Sequence, residues 1–81
     1  MRLKKCLNMT KCREFEVFVY PDGHVRENRG LSECPIAEFS VERDKNGKIP
    51  KSRDLTKYGD CKVREIILNP NGSVNVVVET E

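Results

Sequence analysis

The chain has 81 residues, 37% of them hydrophobic and 35% charged, with a formal net charge of +2. These values describe one small domain with a thin core, since a chain of this size buries only about 60% of the surface it exposes when unfolded. Low net charge with patterned apolar residues excludes a disordered chain, and no apolar run approaches a membrane span.

Residues 1–11 read as a basic N-terminal arm. Leu3, Cys6 and Leu7 are its anchors, in either a helical turn or an edge strand. The arm lacks the apolar core of a secretory leader, which makes a cytoplasmic site the default expectation, with secretion the alternative if a leader has been removed. Glutamine and tryptophan are absent while Lys, Arg and Glu abound, a balance that leans towards a heat-adapted source.

Three turns punctuate the rest of the chain: Pro21-Asp22-Gly23, Lys45-Asn46-Gly47 and Pro70-Asn71-Gly72. Each fits a three-residue hairpin loop, a type I turn followed by a glycine in the left-handed region. Period-two alternation around them puts Phe15, Val17 and Val19 on one strand face, with Ile66, Leu68, Val74, Val76 and Val78 in matching phase. Three consecutive hairpins are predicted: 13–20 with 24–28, 37–43 with 48–50, and 62–68 with 73–79. The middle one is weakest, because Arg43 falls on its apolar face and Pro50 ends its return strand. Segment 52–59 fits either a short helix, capped by Ser52 or Asp54 and stopped at Gly59, or a structured loop. The fold expected is a mostly β, small antiparallel sheet of five to seven strands, curled or packed on itself because a flat sheet could not cover its own apolar face.

Cys6, Cys12, Cys34 and Cys61 lack the close ligand pair of a structural zinc knuckle. A four-cysteine zinc site, or one in which His24 replaces a cysteine, ranks below disulfide staples and below reduced core thiols. Nucleophilic catalysis has little support, since His24, the single histidine, directly follows a turn glycine, where side chains are usually solvated. A non-enzymatic role without a cofactor is therefore expected.

Charge is arranged in blocks. Residues 1–13 hold five basic residues and no acid, 14–42 hold seven acids against two arginines, 43–64 hold eight basic residues against three acids, and 65–81 hold three acids alone. Two binding readings follow, with a zinc- or disulfide-stabilised structural protein as a third. In the first, Phe18 and Tyr20 on the outer face of the first strand, or a sheet edge, dock a protein partner or a second copy of the chain. In the second, Lys4, Lys5, Lys11, Arg13, Lys45, Lys48, Lys51, Arg53, Lys57 and Lys62 neutralise nucleic-acid phosphates while Tyr58 stacks on a base. The second requires that segments 1–13 and 43–64 meet in space. The bland alternative is that the opposed blocks pair with each other across neighbouring strands.

Overall fold

A computed structural model describes residues 1–24 and 34–80. In chain order the elements are α1 (Leu3–Met9), β1 (Glu14–Tyr20), β2 (Ala37–Glu42), α2 (Arg53–Tyr58), β3 (Lys62–Leu68) and β4 (Val74–Glu79). The strands form one sheet in the order β2-β1-β4-β3, in which β1 runs antiparallel to β2, β3 antiparallel to β4, and β1 parallel to β4. The protein is thus mostly β with a short helix near 52–58, as the sequence leads one to expect. Among the described residues the sheet is four-stranded and mixed, where the sequence leads one to expect five to seven mostly antiparallel strands.

The two most apolar strands take the centre of the sheet. In β4, Val76, Val77 and Val78 are all fully buried, so both faces of the strand are covered. A continuous apolar run of this kind suits a central strand with a parallel neighbour. Alternation selects Val74, Val76 and Val78 and overlooks Val77, which belongs to the opposite face.

The third hairpin forms as predicted, with Ile66 opposite Val76 and Leu68 opposite Val74. Its turn is closed by Asn69 N–H donating to the Ser73 carbonyl and Gly72 N–H donating to the Asn69 carbonyl, each at 3.0 Å. Gly23, Gly47 and Gly72 take φ of 86°, 79° and 91°. At Gly72 any side chain would strain that left-handed backbone even though space is open. The other two turns form without the predicted hairpins. Both edges of β1 are taken, by β2 and β4, and of its expected partner 24–28 only His24 lies within the described residues. In the middle turn, Asp44 N–H reaches the Lys48 carbonyl at 2.9 Å, but 48–50 forms no strand. Pro50 has no N–H to give a ladder, and Ile49 packs against the core instead.

Both helices cover the sheet face made by Phe15, Val17, Val19, Val74, Val76 and Val78. In α1, Leu3, Cys6 and Leu7 form the buried stripe that spacing of three and four residues produces. Helix and edge pairing coexist at the N-terminus, since Arg2 also makes an isolated antiparallel bridge to Lys62. In α2, the Ser52 hydroxyl accepts from Leu55 N–H at 3.1 Å as the predicted cap. Gly59 ends α2 and does a second job. Lys4 N–H donates to its carbonyl at 2.9 Å, and a β-carbon there would overlap the Lys4 side chain and the Leu55 carbonyl. The two helices therefore lie side by side.

Arg43, the residue out of place on the apolar strand face, ties this layer together. Its Nη2 donates to the Leu7 carbonyl at 2.5 Å and the Thr10 carbonyl at 2.6 Å, while Nε and Nη1 each donate at 2.9 Å, to the Cys12 and Gly47 carbonyls respectively. The Leu7, Thr10 and Cys12 carbonyls are orphan acceptors at and beyond the C-terminus of α1, where a cation is also favoured by the helix dipole, and the Gly47 carbonyl belongs to the turn after β2. The planar fork of guanidinium donors suits several carbonyls at once.

Candidate nucleic-acid interface

The two basic segments meet. α1 and α2 touch through Lys4 and Gly59, and Arg43 fastens the α1–β1 connection to the 44–47 turn. Lys4 and Lys5 lie on α1, Lys11 on the connection after it, Lys45 and Lys48 in the turn after β2, and Lys51, Arg53 and Lys57 on α2 and its lead-in, all of them exposed. Arg53 and Lys57 are four residues apart and share one side of α2. Among the described residues none of these eight cations has a carboxylate within ion-pair distance. Arg13 differs, with Nε 3.5 Å from Glu42 Oε1. Lys62 is half-buried and lies at the Arg2 bridge, away from the helix layer's outer side.

Between the helices runs a groove of about 410 Å³ lined by Lys4, Leu7 and Asn8 from α1, Ile49, Pro50, Lys51 and Ser52 from the lead-in, and Leu55 and Thr56 from α2. Leu7 and Leu55 are buried and Ile49 is half-buried, which makes an apolar floor beneath a rim carrying two ammonium groups and no acid. The lysines are legible in the sequence and this floor is not, because Ile49 reads there as part of a return strand. Tyr58, expected to stack on a base, is half-buried, with its ring centroid 6.1 Å from that of Phe39 and Lys57 Nζ 5.2 Å above it.

The opposite sheet face is acidic. Strand alternation places Glu14 and Glu16 there together with Phe18 and Tyr20, and register brings Glu42, Ser40 and Glu38 alongside. The Ser40 hydroxyl donates to Glu16 Oε1 at 2.7 Å. Tyr20, expected to be exposed for a partner, is 1% exposed, while Phe18 is half-buried. His24, expected in solvent, is also buried, its ring stacked on Tyr20 at 4.0 Å between centroids. Beside Tyr20 on β4, buried Glu79 accepts from Arg64 Nε at 2.7 Å, which offsets the cost of enclosing a carboxylate. The turn folds its histidine back over the sheet, a tertiary choice that turn chemistry does not encode.

Cys6 and Cys61 are core residues. Cys12 is half-buried, its thiol donating to the Glu14 carbonyl at 2.9 Å and the Gly72 carbonyl at 3.2 Å, and Cys34 is exposed. All four are free thiols, so the disulfide expectation is not met in this structure. No group of three or more metal-donor side chains converges among the described residues. No helix among them is long and apolar enough to cross a membrane.

Fold and surface together define, among the described residues, a small two-layer arrangement, two short helices on a mixed four-stranded sheet. No protein-family model, curated protein or solved structure matches the chain.

Proposed function

We propose that this protein is a non-enzymatic binding module that holds nucleic acid against its helix layer. The observation that supports the reading is that eight exposed cations come from two segments that meet at α1 and α2, without ion pairs among the described residues, and that two of them, Lys4 and Lys51, line the groove between those helices. Charges that served only to balance the acidic blocks would be paired with them. Exposed cations without carboxylate partners neutralise phosphates and release their counterions.

The test is a salt titration of binding to a labelled oligonucleotide. Contact with four to six phosphates gives a slope of log affinity against log salt between about −3 and −4 for a single strand. Charge reversal of Lys48 and Lys51 together lowers affinity by at least an order of magnitude and makes the slope shallower by roughly 1.4, with the circular dichroism spectrum unchanged. A flat salt response would remove the reading.

A protein partner is the second reading, and a separate observation favours it. β3 is an edge strand, and its Ile66 and Leu68 are 43% and 76% exposed. Strand addition there would depend little on salt and would be blocked by Leu68→Lys with Ile66→Lys.

A further inference from the structure

We infer that the groove between α1 and α2 takes an unstacked base of a single-stranded nucleic acid, which rests on the nucleic-acid reading above and narrows it to one substrate class. The rim carries two cations on facing walls, Lys4 from α1 and Lys51 from the α2 lead-in. A nucleotide chain supplies a phosphate on each side of every base, so both ammonium groups meet an anion while the base lies over Leu7, Ile49 and Leu55. A single-headed amphiphile supplies only one anion. Its alkyl tail would also lie against Asn8 and Thr56, whose polar atoms suit the edge of a base.

The polar groups are available for this. The Asn8 carboxamide makes no side-chain hydrogen bond among the described residues. The Thr56 hydroxyl donates to the Ser52 carbonyl at 3.0 Å and keeps its acceptor capacity. The volume, about 410 Å³, lies in the range of small-molecule sites. A duplex keeps its bases stacked and paired, so it offers the groove backbone alone and leaves the apolar floor unused.

The experiment compares four ligands on the intact chain by fluorescence anisotropy at low ionic strength: an oligothymidine, the same length made of abasic sites, a duplex of that length, and polyglutamate. The oligothymidine is expected to bind roughly tenfold more tightly than the abasic strand, which keeps every phosphate but has no base to insert. Asn8→Met, which fills the groove from an exposed position without adding an aromatic face for a base to stack on, should bring the two to equal affinity. Lys5→Glu, outside the groove, should weaken both by the same factor. Equal affinity of wild-type protein for oligothymidine, abasic strand and duplex, with a steep salt dependence, would overturn the base pocket and leave the nucleic-acid reading standing. Failure of all three nucleic acids to bind would overturn both, and polyglutamate binding as tightly as oligothymidine would assign the groove to an acidic protein segment.

Discussion

The two faces of the sheet treat charge in opposite ways. On the open face, Glu16 accepts from Ser40, Glu42 sits near Arg13, and Glu79 is enclosed with Arg64. Over the helix layer, the eight exposed cations have no carboxylate partner among the described residues. One surface is largely occupied with its own structure, and the other is left available. The chain therefore needs its central strands to keep the two apart, since the blocks would otherwise neutralise each other.

Arg43→Met breaks this comparison most sharply, because it removes the cation that anchors the helix layer and leaves the sheet ladder intact. Four carbonyls lose a charged donor. The expected loss in urea denaturation is about 2–3 kcal/mol. Arg43→Lys should recover little of it, because one ammonium group cannot span carbonyls that a planar fork reaches together. If both variants unfold like wild type, the layer is held by its apolar stripe alone.

Ser52→Ala sharpens the same contrast more gently. It removes the cap of a six-residue helix, at a cost of about 1 kcal/mol. Since Ser52 and Leu55 both line the groove, oligothymidine binding should weaken alongside stability. On the other face, Ser40→Ala takes away one exposed hydrogen bond to Glu16. It should cost no more than about 0.5 kcal/mol and leave binding as it was. Equal effects from the two substitutions would show that the faces are not functionally distinct.

Much of this architecture could be read from the residues, and the failures share a cause. Turn glycines, the Ser52 cap, the α2 helix and the phase of Val74, Val76 and Val78 are local signals, governed by neighbours in sequence. Pairing partners are not local. Pro-Asp-Gly encodes a turn but not whether the chain leaving it returns along β1, and here β2 and β4 take both edges. Arg43 looked like a flaw in a hairpin because its acceptors, at Leu7, Thr10 and Cys12, lie about thirty residues upstream. The basic residues were visible individually. Their meeting depended on Gly59 and Arg43, whose roles appear only once the helices are packed.

The smallest expected effect tests whether net charge or local charge governs binding. Replacing Glu14, Glu38 and Glu42 by glutamine raises the formal net charge from +2 to +5 without touching the helix layer. These carboxylates lie on the sheet face away from the helices, in a molecule whose thinnest dimension is 20 Å. The Debye length is about 8 Å at 0.15 M salt, so across that thickness the acids are largely screened. Affinity for oligothymidine should then change by less than about twofold at that salt. At 0.01 M the screening length grows to about 30 Å, longer than the molecule is thick, and the triple variant should bind clearly more tightly than wild type. A large gain already at 0.15 M would mean that phosphates sense the whole molecule, and the helix layer would lose its claim to be the interface.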